Sequence, residues 1–230
     1  MKRCICLLFS AVFLMGGCQR LPPIHPVQGV ETREIVRECL ASFPQGTWRA
    51  VHAIEAQLPF RKQSSIIGVT VGDSRTHRLR SAILAIEGLV LFEASYDKGR
   101  LKVHRALEPF DRGGFGEGLF SDVSMLFLPP RGRLAAAGRI QNGNIACRWK
   151  TEDLDYVQVE VEKDSKEAAW TIRHLNSRGK TLRKIRASSK KEALVPETVL
   201  LEVLTRFGYR LRMRLLQSDR VEDFDEIFSH

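Results

Sequence analysis

The sequence predicts a mainly β, α+β chain, an antiparallel sheet of about eleven strands accompanied by a few short helices. From Thr47 onward the residues fall into short segments separated by turn formers such as Gly72-Asp73-Ser74 and Asp97-Lys98-Gly99. Within the stretch YRLRMRLL, residues 209 to 215 alternate, Tyr209, Leu211, Met213 and Leu215 against Arg210, Arg212 and Arg214. Such alternation gives a half-buried strand with one apolar and one cationic face. Helical spacing, by contrast, is confined to one stretch before Thr47 and one in the middle of the chain.

The first segment stands outside the fold. Lys2 and Arg3, the apolar run Ile5 to Met15 and the small pair Gly16-Gly17 have the layout of an export leader, so residues 1–17 read as a signal peptide. The run is too short for a hydrocarbon core that takes roughly 20 apolar residues as a helix. Met15, Gly16, Gly17 and Cys18 resemble the bacterial lipobox, in which the leader is cut immediately before a cysteine that then carries acyl chains. The resemblance implies cleavage after Gly17 and lipidation of Cys18; the other reading is a plain cleaved leader beside a coincidental cysteine. Acyl chains, at about 0.8 kcal/mol per buried methylene, would hold the chain on a membrane without a spanning helix.

Residues 18–30 include three prolines in QRLPPIHPVQGV and read as an extended, lipidated tether. Residues 31–230 then read as a single domain of ordinary size, with two small domains as the alternative. In ETREIVRECLASF, Ile35, Val36, Cys39, Leu40 and Phe43 share a helical stripe, and Pro44-Gln45-Gly46 stops the helix.

The strands follow: TWRAVHAIEAQL, SSIIGVTV, HRLRSAILAI, GLVLFEASY and RLKVHRAL. After residue 127 come NIACRWKT, DYVQVEVEK, AAWTIRHLN, KTLRKIRAS, TVLLEVL and GYRLRMRLLQ. Between the two sets, a Gly-rich entry leads into a helix over 115–127 that ends at Pro129-Pro130. GLVLFEA and SAILAI are apolar on both faces, so an outer cover, such as the first helix, is expected over them.

Charge narrows the partners. With 36 Lys and Arg against 27 Asp and Glu, the formal charge is +9, of which Lys2 and Arg3 leave with the leader. A basic envelope protein is suited to anionic headgroups; nucleic acid is not expected for an exported, anchored chain. Of the five cysteines, Cys18, Cys39 and Cys147 remain after cleavage. If Cys18 is acylated, Cys39 and Cys147 are an even pair that could bridge in an oxidising compartment, or two small buried hydrophobes. Spacing alone does not choose.

The Met15 to Cys18 lipobox, GLVLFEA at 88–94, FSDVSMLFLPP at 120–130 and YRLRMRLL at 209–216, in this order of elements, are similar to the LolA/LolB family of lipoprotein carriers, and most of all to LolB-like outer-membrane lipoproteins of proteobacteria. The resemblance implies an incomplete, curved antiparallel β-barrel with the helices at one mouth and an apolar hollow for acyl chains. Trp48, Ile54, Leu91, Phe115, Phe120, Met125, Leu211, Met213 and Leu215 are the candidate lining residues, with plain core packing as the alternative for each. Arg183, Lys184 and Arg186, in the basic run LRKIRASSKK, are candidates for headgroup contact.

Catalytic motifs are weak. Gly-Asp-Ser at 72–74 has no late Asp-x-x-His to supply a base and sits where a turn is expected. His52 and His104 fall inside strands, and DRGGFGEG at 111–118 lacks the strand and spacing of a dinucleotide fingerprint. No zinc spacing, phosphate loop or other cofactor motif occurs in the sequence. The expectation is a non-catalytic protein, without metal or cofactor, anchored by lipid at the periplasmic face of the outer membrane, as Gln19 rather than aspartate after Cys18 suggests. Its expected partners are acyl chains of lipids or lipoproteins and a periplasmic carrier protein. The alternative is a scaffolding lipoprotein with a filled barrel that binds a protein partner.

Overall fold

The computed structural model describes residues 21–59, 63–97, 99–163, 166–206, 208–222 and 224. The calls at Gly17 and Cys18 lie outside them. The elements run β1 (His25–Pro26), α1 (Val30–Ala41), β2 (Thr47–Gln57), β3 (Gln63–Asp73), β4 (Arg78–Leu84), β5 (Val90–Asp97), β6 (Arg100–Ala106) and α2 (Phe115–Phe127). There follow β7 (Arg133–Arg139), β8 (Ile145–Lys150), β9 (Tyr156–Val161), β10 (Ala168–Leu175), β11 (Thr181–Ser189), β12 (Thr198–Val203) and β13 (Arg210–Arg220).

Among the described residues, thirteen strands form one antiparallel sheet in the order β1-β7-β8-β9-β10-β11-β12-β13-β2-β3-β4-β5-β6. The sheet is not closed, having β1 and β6 as its edges. Mainly β content and an incomplete barrel are therefore correct, while the strand count rises from about eleven to thirteen. The two added strands are short or weakly patterned. RLAAAGR, at β7, is rich in alanine, which has little strand preference. His25–Pro26 is a two-residue edge strand inside the segment read as a free tether, paired with Arg139 and Gly138. Proline is tolerated at such an edge. Glycine is required opposite it, because a Cβ on Gly138 would stand 1.9 Å from the His25 carbonyl oxygen.

Strand register assigns each side chain to a face. Leu211, Met213 and Leu215 of β13 stand opposite Ala56, Ile54 and His52 of β2, on the inner side. Val199 and Leu201 of β12, and Ile185 and Ala187 of β11, continue the same rows. Both helices pack on this face and share one core with it. Helix α1 lies against β7, β8 and β9, burying Ile35 and Cys39. Helix α2 crosses from the β5–β6 end, where Phe115 meets Phe92 edge-on at 5.5 Å, to β2, where Phe127 lies 4.9 Å from Trp48. Gly114, at φ +81°, turns the chain into α2, a conformation glycine adopts without strain.

The expectation that α1 would cover the outer side of GLVLFEA and SAILAI is corrected: α1 lies inside, at the opposite half of the sheet. Its place is fixed covalently, because Cys39 and Cys147 form a disulfide between α1 and β8, with Cα atoms 6.3 Å apart and 108 residues between them. Reducing this bond, or replacing both cysteines by serine, should lower the unfolding free energy by about 2–5 kcal/mol. Denaturant titration with and without reductant measures it.

Candidate functional site

The inner face is the candidate site, and its two halves differ in cover. Trp48 is fully buried and Phe120 is 3 % exposed; with Leu126 and Phe127 they form the packed layer between sheet and α2. His52 completes this layer, its ring centroid 5.8 Å from that of Phe127 and its Nε2 3.2 Å from the Pro196 carbonyl oxygen. Burial holds the His52 pKa below its usual value, and the bond to Pro196 pulls it the other way. Ile54, Leu211, Met213 and Leu215 form a contiguous apolar wall on β2 and β13 that the helices leave half-exposed. Phe115 and Met125 are half-buried on α2, and Leu91, also half-buried, sits where the β4–β5 register shifts. Of the nine lining candidates, Trp48 and Phe120 thus lie in a buried plug, Ile54, Leu211, Met213 and Leu215 form a more open wall, and Phe115, Met125 and Leu91 are half-buried outside both.

A groove of about 430 Å³ opens at one end of the inner face. It lies between the C-terminal end of α1 and the loop joining β11 to β12, with Phe43, Trp170, Leu194 and Val195 in its walls and Lys191 and Arg220 among its polar residues. Trp170 is 6 % exposed, and its indole Nε1 is buried with no hydrogen-bond acceptor among the described residues.

The inner face also carries a polar chain that the sequence reading missed. Asp122, in the middle of the apolar α2, has a side chain 3 % exposed. It accepts from Arg183 Nε at 2.7 Å and from the Tyr209 hydroxyl. Arg183 in turn lies 3.3 Å from His174 Nδ1, and His174 Nε2 is 3.0 Å from Asp155. Burial pushes the Asp122 carboxyl above the usual carboxylate range, against the pull of Tyr209 and Arg183. Burial and the adjacent carboxylate likewise raise the Tyr209 phenol. The network pins α2 to β11 and to the start of β13. The sequence signal was an acid in the middle of an apolar helical run, one turn and more beyond Glu117, opposite an arginine whose register only the folded sheet supplies.

Arg183 therefore does not belong to an outward headgroup patch. Register places it inward, opposite Val203 and His174, whereas Lys184 and Arg186 point outward. The disulfide candidates are joined as described above. Gly72-Asp73-Ser74 is a turn anchor: Asp73 accepts from the Arg75 N–H at 2.9 Å and the Thr76 hydroxyl at 2.8 Å, while the Gly46 N–H donates to Ser74 Oγ at 2.9 Å. His104 makes an exposed contact with Ser95 Oγ at 2.8 Å. Among the described residues no group of three or more His, Cys, Asp or Glu could hold a metal ion, and no helix is long and apolar enough to cross a membrane.

Comparison with solved structures decides the fold. A LolA superfamily protein from Nitrosomonas europaea matches with a TM-score of 0.52 at 12% identity, covering 86% of this chain and 97% of that one. This chain has a LolA-like fold. A structure described as an outer membrane lipoprotein-sorting protein domain, from Vibrio parahaemolyticus, matches with a TM-score of 0.41 at 11% identity, over 85% of this chain and 94% of that one. No family model matches the sequence, and no curated protein matches it. The LolA-like sheet is thus recognisable by its path at 12% sequence identity.

The Asp122–Arg183 pair can be measured directly. Asp122→Leu or Arg183→Met alone should cost about 3–5 kcal/mol, because each leaves a buried charge without its partner. The double variant should cost clearly less than the sum. Chemical denaturation of the four proteins in a double-mutant cycle gives the coupling.

Proposed function

We propose that this protein is a lipid-anchored envelope protein that shelters acyl chains on the inner face of its LolA-like sheet. The observation that carries the reading is the half-exposed wall of Ile54, Leu211, Met213 and Leu215, which leads away from the packed layer under α2. Hydrocarbon laid on such a wall gains about 25 cal/mol per Å² removed from water and needs no directed hydrogen bond. The groove beside α1 falls in the size range of small-molecule sites and offers apolar walls with cations for an acidic head. Export fits the Cys39–Cys147 disulfide, since an oxidising compartment maintains such a bond.

In this reading Cys18 carries the acyl anchor after cleavage behind Gly17, and the protein faces the periplasm from the outer membrane. Its cargo is the acyl part of a lipid or lipoprotein, delivered by a periplasmic carrier, and its action is non-catalytic. The packed layer of Trp48, Phe120, Leu126 and Phe127 favours a second reading, a scaffold with a filled interior.

Two measurements separate them. Denaturing mass spectrometry of lipids co-purified with the Cys18-free domain should recover acyl species in stoichiometric amount; an empty protein supports the scaffold. Leu211→Arg or Met213→Glu should abolish uptake of a fluorescent fatty acid, while Arg212→Ala, whose side chain points outward, should leave uptake intact. Equal behaviour of the three variants removes the proposed site.

A further inference from the structure

The outer face of β10 to β13 carries a feature that the acyl-chain reading leaves unused. Two rows of outward side chains cross these strands. One consists of Thr171, Arg186, Leu200 and Arg212; the other of Ala169, Ser188, Thr198 and Arg214, as the strand register dictates. Between the rows the sheet backbone at Trp170, Ala187, Val199 and Met213 forms the floor of a groove of about 520 Å³. The groove exists because Ala169, Ser188 and Thr198 are small. Its walls present guanidinium groups and hydroxyls over an apolar base.

Basic side chains outnumber acidic ones on this face. Arg173, Lys184, Arg186, Arg210, Arg212 and Arg214 face the carboxylates of Glu55, Glu160 and Glu202, and Glu162 stands at the groove itself. Arg173 is paired with Glu160, and Glu202 is shared by Arg186 and Arg210. Arg212 and Arg214 are exposed and have no ion-pair partner among the described residues. Lys184 is held below its usual pKa, first by burial and then by Arg173 and Arg186. The face has cationic capacity that its own carboxylates do not use.

The N-terminal segment emerges on the same face. Arg148, 6 % exposed and in the outward row that includes Gln158, Arg173 and Lys184, donates to the Pro22 carbonyl and, through Nε, to Gln158 Oε1 at 2.8 Å. From there the chain rounds the sheet edge as β1 and enters the inner side as α1. Cys18 is four residues before Pro22, a reach of at most about 14 Å. Lys184, in the same row, is three strands from Arg148, about 14 Å at the usual strand spacing, and Arg186 lies two residues further along β11.

We propose that the outer face of β10 to β13, with Arg186 and Arg212 at its groove and Arg214 beside it, docks on the phosphate headgroups of an anionic lipid bilayer. The proposal rests on the reading of Cys18 as the membrane anchor. Anchor and cationic face then meet the same leaflet, and the inner wall is turned away from the bilayer to receive its cargo. One acyl anchor tethers the chain, while the polybasic face sets its orientation.

The test uses the chain from residue 18 onward carrying Cys18→Ser, so that lipidation does not mask the contact. It is floated with vesicles of phosphatidylcholine, with or without phosphatidylglycerol. Binding should require the anionic lipid, fall as salt rises, and drop at least about tenfold in Arg212→Glu/Arg214→Glu. The charge-matched pair Arg33→Glu/Arg37→Glu on α1 should bind like the parent. Equal binding to neutral vesicles, or an equal loss in both charge-reversed pairs, overturns the proposal. Fatty-acid uptake is read on the same samples: the β13 pair should retain it, which also reports that the variant is folded. Vesicle binding without uptake in the parent overturns the acyl-chain reading and leaves the docking face standing, whereas uptake without anionic-vesicle binding does the reverse.

Discussion

An open sheet of thirteen strands has one apolar face that it cannot cover by closing on itself, and every larger feature of this molecule follows from how that face is hidden. Two helices of twelve and thirteen residues must shield the inner rows of all the central strands. They divide the surface, with α1 over β7 to β9 and α2 running from the β5–β6 end to β2. What they leave half-covered on β2 and β13 is the apolar wall. The candidate site is thus the remainder of an incomplete burial, and its apolar character has the same origin as the core's.

The two helices are held by different means. For α1 the disulfide to β8 limits its separation from the sheet in every state of the oxidised chain. For α2 the hold is non-covalent: aromatic packing at both ends and the buried Asp122, bound to Arg183 and Tyr209 at the middle. A buried ion pair adds little net stability over apolar groups of the same shape, yet removing one partner is expensive. Such a pair defines where a helix rests more than how firmly the whole chain folds. The hold on α2 is therefore made of side-chain contacts alone, whereas that on α1 includes a covalent bond.

The outer face obeys a different balance. Along β13, arginine occupies the outward positions at 210, 212 and 214, and β11 adds Lys184 and Arg186. Cross-strand glutamates meet part of this charge. Small residues in one row then open a groove in a surface that would otherwise be evenly studded with side chains. One strand can serve an apolar wall and a cationic exterior at once because successive side chains point to opposite faces.

Much of this was legible in the chain itself. The alternation of YRLRMRLL set the two faces of β13, the stripe from Ile35 to Phe43 marked α1, and an apolar stretch between a Gly-rich entry and Pro129-Pro130 marked α2, since these signals lie within one element and need no partner. The strands β1 and β7 were not legible: alanine and proline carry little strand preference, and their pairing depends on a close approach at Gly138. Arg183 was indistinguishable in sequence from its neighbours Lys184 and Arg186, although it points inward to Asp122 while they point out. Nor could spacing join Cys39 to Cys147, or place α1 on the inner side at β7 to β9. Periodicity determines which side chains share a face; only the long-range pairing of strands far apart in the chain decides what that face meets.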